Sequence, residues 1–187
     1  MPESSEVMVL LSGGIDSMAC VHFSIEMGRK PCGLFIDYGQ PPALQESKSA
    51  KLVAKHFGIT LYSTKFKSLQ KKKSGYIPAR NAFLLASALM EKPSAVHTIA
   101  LGIHAGTSYF DCQPSFINKM QELFNFYSNN RVRIMCPFIE FQKAELYSYC
   151  RDRKLPFELT YSCEASSSRP CGKCLSCLDR ELLNVST

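Results

Sequence analysis

Val7-Met-Val-Leu-Leu11 runs directly into Ser12-Gly13-Gly14-Ile15-Asp16-Ser17, and this junction constrains the chain more than any other stretch. The apolar run is that of a strand buried on both faces, as in a parallel sheet. Beyond Asp16, apolar and small residues alternate as they do in a helix. A strand, a glycine turn and a helix start together make an anion site. Free backbone N–H groups and the positive end of the helix dipole converge there. Gly13 and Gly14 let the backbone approach a phosphate with no Cβ in the way. Ser12 and Ser17 add hydroxyl donors, and Asp16 either caps the helix or holds Mg²⁺. The spacing is not GxxxxGK[ST] and no lysine closes the loop, which disfavours a Walker-type NTPase. An ordinary strand-to-helix turn is the plain alternative. The order hydroxyl, Gly, Gly, x, acid, hydroxyl behind a buried strand argues against it.

Ser-Gly-Gly-x-Asp-Ser resembles the pyrophosphate loop of the ATP pyrophosphatase superfamily, whose members cleave ATP to AMP and pyrophosphate to activate a substrate as its adenylate. The formal charge of +6 suits an anionic ligand such as ATP, and permits RNA binding without requiring it. The densest basic patch, Lys65, Lys67, Lys71, Lys72 and Lys73, has few aromatics around it and reads as a solvated loop. At 187 residues the chain fits one domain with a real core. No apolar run approaches the roughly 18 residues that span a bilayer. The polar, acidic start lacks a signal-peptide pattern, so a cytoplasmic location is expected. Nine cysteines in that setting argue for thiols or a metal, not a disulfide framework.

Pro31 to Gln40 reads as a second buried strand with a polar tip, and Asp37 to Gln40 should face the same crevice as the first loop. Ala43 to Gly58 has helical periodicity, with Leu44, Ala50, Val53, Ala54 and Phe57 on or near one face and Gly58 as a stop. Ile59 to Phe66 alternates as a third strand. The segment 74–79 is a loop, leading into an apolar helix over Ala82 to Glu91 with Arg80 and Asn81 at its N-terminal end. Val96 to Ile103 is a strand, followed by a polar loop from His104 to Pro114. Ser115 to Tyr127 is a helix, Val132 to Pro137 a short strand, and Gln142 to Lys154 a helix. Strands alternating with helices predict a parallel sheet covered by helices on both faces.

The last thirty or so residues change character. Cys171-Gly-Lys-Cys174-Leu-Ser-Cys177 lets thiolates three residues apart curl round one ion, and Cys163 completes a closed, structural S₄ site. An iron–sulfur cluster is the rival, but Leu178-Asp179-Arg180 follows where a ferredoxin pattern needs a further cysteine, so zinc is preferred. Cys20, Cys32, Cys136 and Cys150 lie in apolar patterns and read as core. Cys112 lies in a polar loop beside Asp111, where a structural role in the loop is preferred over a reactive one.

Taken along the chain, five motifs follow one another: Ser12 to Ser17, Asp37-Tyr38-Gly39-Gln40, Ile77-Pro-Ala-Arg-Asn81, Asp111-Cys-Gln-Pro114, and Ser162-Cys163 with Cys171 to Arg180. Their order resembles the 7-cyano-7-deazaguanine synthase family (QueC) over nearly the whole length. The resemblance implies an α/β, Rossmann-like (adenine nucleotide alpha hydrolase-like) domain over 1–158 and a Cys₄ zinc motif over 159–187, commonly in a homodimer. It implies ATP-dependent adenylation of 7-carboxy-7-deazaguanine, attack by ammonia, and dehydration to the nitrile of the queuosine pathway. Carried onto this sequence, Leu11, Ser12, Gly13, Gly14, Ile15, Asp16 and Ser17 would hold the ATP phosphates with Mg²⁺. Tyr38, Gln40, Arg80, Asn81 and Asp111 would line the nucleotide or deazapurine pocket. Lys143 would neutralise the developing pyrophosphate charge, so Asp16, Lys143 and Arg80 are the catalytic candidates. Cys163, Cys171, Cys174 and Cys177 would bind zinc.

The chain also departs from the family. Pro41-Pro42 follow Gln40 where basic residues are usual, Ala79 replaces a common glycine, Glu164 replaces a tyrosine, and the segment between Phe66 and Tyr76 is short. These changes surround the substrate mouth. They keep three alternatives in view: a ligase passing the adenylate to an amine of a partner protein, a non-catalytic nucleotide-binding scaffold, and a tRNA-thiolating relative.

Overall fold

The computed structural model describes residues 5–67, 76–106, 109–165 and 169–185. Lys71, Lys72 and Lys73 of the basic patch lie outside the described residues. Five strands form one parallel sheet: β1 (Glu6–Leu10), β2 (Lys30–Asp37), β3 (Leu61–Lys65), β4 (Thr98–Ala100) and β5 (Arg133–Met135). Their spatial order is β3-β2-β1-β4-β5. The helices are α1 (Ile15–Glu26), α2 (Ala43–Phe57), α3 (Arg80–Glu91), α4 (Pro114–Ser128), α5 (Lys143–Asp152) and α6 (Leu175–Leu182). Among the described residues no helix is long and apolar enough to cross a membrane.

Side chains alternate across a strand, and here both rows are apolar. Val7, Val9 and Leu11 enter one core with residues of α1, α2 and α5, while Met8 and Leu10 enter a second core with α3 and α4. Helices therefore cover both faces, as the alternating pattern predicts. Gly58, in the left-handed conformation, stops α2 where expected. Gln142 and Glu145 close α5 with a reciprocal capping box. Cys20 and Cys150 are fully buried, and Cys32 and Cys136 pack partly buried against the second core. Burial raises Cys32 to about 11 and Cys136 and Cys150 to about 12, which keeps those thiols inert.

Three details differ from the sequence expectation. Leu44 is exposed, because the first turn of α2 sits at the crevice mouth and not on the core. The fourth strand is only Thr98–Ala100, not Val96 to Ile103. After it the chain must pass over the start of α1, and Gly102 is the point of contact: a Cβ there would lie 2.7 Å from the Asp16 carbonyl carbon. In the tail, the sequence reading assigned no helix, whereas α6 forms directly after Cys174.

Ala79 precedes α3 with φ 61, the left-handed conformation that an L-residue adopts at a cost. It is exposed and its side chain caps nothing. Replacing it with the glycine its conformation favours relieves that strain and adds unfolded-chain entropy. Ala79→Gly is expected to stabilise the protein by up to about 1 kcal/mol. The denaturant midpoint should rise at unchanged slope.

Candidate functional site

In an open parallel sheet, ligands bind beyond the carboxyl ends of the strands where the order reverses. Here that point lies between β1 and β4, which flank each other although they are far apart in sequence. A crevice of ≈ 560 Å³ opens there, a size that accommodates a nucleotide-sized ligand. One end of it is the Ser12–Ser17 loop. Gly13 takes φ +85, and a Cβ on it would fall 2.5 Å from the Glu46 carbonyl oxygen, so only glycine lets α2 close over the loop. Gly14 N–H donates to Ser12 Oγ at 3.3 Å and Ser17 Oγ–H donates to Gly14 C=O at 2.9 Å. Gly14 is the N-cap of α1 and offers no side-chain acceptor. The first-turn N–H groups of α1 have no intrahelical partners and face the crevice as an anion cradle.

Asp16, in that first turn, is met by residues from two other segments. Lys143 Nζ of α5 lies 3.6 Å from Asp16 Oδ1, and His104 Nε2 lies 3.7 Å from Asp16 Oδ2. Lys143 Nζ is 3.4 Å from His104 Nε2 and 4.0 Å from Asp179 Oδ2 of α6. His104 Nδ1 accepts the Gly106 N–H at 3.0 Å, so the neutral ring carries its proton on Nε2, toward Asp16. Burial holds the imidazole below its ordinary value, against the pull of Asp16. Asp16 thus sits in a cluster of one ammonium, one neutral imidazole and two carboxylates.

The other wall carries Tyr38, Gln40, Arg80 and Asn81, as the sequence motifs predict. Asp37, expected in the crevice, does not line it. It ends its strand by accepting from Gly39 N–H at 3.0 Å and pairing with Lys65 at 3.1 Å. Asp111, expected as a pocket residue, also stands back from the crevice. It is buried and fastens the start of α3: its Oδ2 accepts Asn81 N–H at 3.3 Å and its carbonyl accepts Asn81 Nδ2–H at 2.9 Å. It acts there as a cap supplied from another element, because Ala79 cannot cap the helix. Cys112 beside it is buried in the second core, in keeping with a structural role. Burial raises the Tyr38 phenol, with Arg80 opposing.

Three residues of this site escaped the sequence reading. His104 looks like any loop histidine, Asp179 hides in the cysteine motif, and Glu46 falls among the polar positions of an amphipathic helix. Burial pushes the Glu46 carboxyl up, with its hydrogen bond from Gln40 opposing.

The cysteine-rich end forms the third wall. Tyr161 N–H donates to Gly13 C=O at 2.9 Å, joining this end directly to the phosphate loop. The buried Arg180 of α6 donates to Thr160 Oγ1 at 2.9 Å, to Ser162 Oγ at 3.3 Å and to the Phe157 carbonyl at 3.2 Å. The thiols of Cys163, Cys171, Cys174 and Cys177 all lie within 4.8 Å of one another. Tetrahedral thiolates at about 2.3 Å from a zinc ion stand about 3.8 Å apart, so the four fit such an ion after a small contraction. Backbone N–H groups also point at the sulfurs: Lys173 and Cys174 donate to Cys171 at 3.4 Å, and Cys171 donates to Cys163 at 3.3 Å. Those donors bring Cys171 down to about 6, while burial pushes Cys177 up to about 12 in the metal-free cluster.

A family model described as "Queuosine biosynthesis protein QueC" matches residues 6–74 and 63–182. Two relatives named 7-cyano-7-deazaguanine synthase, from Prochlorococcus marinus strains MIT 9301 and NATL2A, are each 31% identical to this chain. The alignments cover 94% and 93% of this chain and 91% and 90% of theirs. A 4-thiouridine synthetase, solved in complex with RNA and with bound ATP, is similar in fold. The two superpose with a TM-score of 0.54 at 16% identity, over 90% of this chain and 44% of that one.

A metal bound by the four thiolates must displace their protons, so affinity should fall as pH falls. Cys171 is protonated only below about 6, and there one more proton competes. The dependence of log affinity on pH should therefore steepen below that value. Competition with a chromophoric chelator on either side of it measures this, and a flat profile would place the ion elsewhere.

Proposed function

The chain belongs to the QueC family, and on that premise we propose that it uses ATP to convert 7-carboxy-7-deazaguanine to 7-cyano-7-deazaguanine. The observation that carries this reading is the convergence of Asp16, Lys143 and His104 on the helix start beside the Ser12–Ser17 loop. Relatives aligned over 94% and 93% of the chain carry that activity in their names.

The chemistry asks the protein for position and charge, not for a nucleophile. The substrate carboxylate attacks the α-phosphorus of ATP, and pyrophosphate leaves. The α1 N-terminus, Ser12 and Ser17 would hold that leaving group, and Lys143 would turn from Asp16 and Asp179 toward its growing charge. Mg²⁺, held through Asp16, would supply further charge neutralisation at the phosphates. Ammonia then attacks the acyl adenylate, releasing AMP and leaving the amide. A second activation at the amide oxygen, followed by loss of that oxygen with AMP and of two protons, gives the nitrile. Arg80 would orient the substrate from the opposite wall. Zinc in the Cys163, Cys171, Cys174 and Cys177 cluster would be structural, holding the third wall against Gly13. Residues 159–187 would form this closing motif on an ATP-binding domain of residues 1–158, in a cytoplasmic homodimer.

A second reading is favoured by a specific observation. Pro41, Pro42 and Glu164, three of the positions where the chain departs from its family, all line the crevice. An altered mouth suits another acceptor, an amine of a partner protein, attacking the same adenylate.

Mass spectrometry of purified protein with ATP, Mg²⁺ and 7-carboxy-7-deazaguanine, with and without ammonium, tests both. Nitrile with AMP is expected. AMP or a trapped adenylate without nitrile supports the partner-amine reading, and no ATP turnover overturns both in favour of a nucleotide-binding scaffold. Lys143→Ala should lower kcat roughly a hundred- to a thousand-fold with little change in the KM for ATP.

A further inference from the structure

Glu46 lines the crevice from the first turn of α2 with a carboxylate whose capacity to accept hydrogen bonds is not used up among the described residues. Its neighbour Gln40, which the sequence motif singles out, has no amide hydrogen left to donate. Gln40 Oε1 accepts the Tyr38 N–H at 2.9 Å, and its Nε2 donates to the Ile36 carbonyl at 3.1 Å and to Glu46 Oε2 at 2.8 Å. Both amide hydrogens are committed within the protein, and the amide oxygen is held by the Tyr38 N–H. Gln40 is therefore a strut, and what it holds in place is the Glu46 carboxylate. Glu46 Oε1 has no donor among the described residues. A half-buried carboxylate in this state costs free energy until a ligand supplies donors. Arg80 contributes a compensating charge.

Apolar side chains line the same crevice. Ile77, Leu84 and Leu34 line it with Tyr38, and Tyr38 is held edge-on to Phe83 with ring centroids 6.3 Å apart. Two purine-type rings come into question, and their edges differ. An adenine presents one amino donor beside a ring-nitrogen acceptor, which a carboxylate repels. A 2-amino-6-oxopurine edge presents an imino donor and an amino donor side by side, spaced to meet the two oxygens of one carboxylate.

The geometry points to Glu46 as the specificity-determining residue of the crevice, accepting the adjacent imino and amino N–H groups of a guanine-type base. The assignment rests on the deazaguanine reading above and names the side chain that distinguishes that ring from the adenine of ATP. Gln40 is a positioning residue for it, acting through the Glu46 carboxylate.

The test combines one variant with one substrate analogue, reading KM for each substrate in the product assay and dissociation constants by calorimetry. For the wild-type chain, the analogue lacking the 2-amino group (7-carboxy-7-deazahypoxanthine) should bind roughly 30-fold more weakly than the deazaguanine, the worth of a hydrogen bond to a charged group. In Glu46→Gln the deazaguanine should weaken by a similar factor while the ATP constant stays within about 3-fold, because the lost partner is not adenine. The penalty for removing the amino group should then nearly vanish in the variant. Equal binding of the two ring systems to wild type overturns the assignment without any variant, so a Glu46→Gln chain that fails to fold leaves the test intact. A loss of ATP affinity instead of deazaguanine affinity also overturns it and moves Glu46 to the adenine. A wild-type chain that binds no deazapurine overturns the functional reading and this assignment together.

Discussion

β1 is paired in parallel on both sides, with β2 and with β4, and the site depends on that arrangement. A strand in this position has no solvent face, so its two side-chain rows must each find a core. Val7, Val9 and Leu11 take one, Met8 and Leu10 the other. The strand that answers this demand is also the one that delivers the Ser12–Ser17 loop to the point where the sheet order reverses. Chain entering from β4 then comes so close that only glycine fits against Asp16 at position 102. The tightness of that crossing fixes the loop as a rigid element.

The charges at the loop form a closed set. Lys143 stands near both Asp16 and Asp179, and His104 stays neutral because burial outweighs the neighbouring carboxylate. A lysine shared between two carboxylates in a partly dry crevice is held at short range and is still free to turn. Asp179 ties this charge set to the cysteine-rich end, since it lies on α6, two residues beyond Cys177.

That end is more than a closure. Tyr161 hydrogen-bonds to Gly13, Arg180 pins α6 to Thr160 and the Phe157 carbonyl, and Val185 enters the first core. The thiols of Cys163, Cys171, Cys174 and Cys177 gather in the same end.

The strand-turn-helix at the start, the alternation of elements, the stop at Gly58 and the four-cysteine spacing were all legible in the sequence. Each is local: a few contiguous residues carry both the signal and the physical cause. Tyr38, Arg80 and Asn81 were legible as crevice residues because they follow strand ends or open a helix. Asp37 and Asp111 show where that logic stops. Both are polar residues beside strand ends or loops, yet one only ends its strand and the other caps α3 from a distance. Glu46, His104 and Asp179 were not legible, since a glutamate on an amphipathic helix and a histidine in a loop look solvated until another element buries them. By itself the sequence determined a parallel α/β chain with a phosphate-type loop and a thiolate cluster. Tertiary structure alone decided the strand order, the meeting of Lys143 with Asp16, and which carboxylates face the crevice. These depend on residues far apart in the chain, and only packing brings such residues within reach of one another.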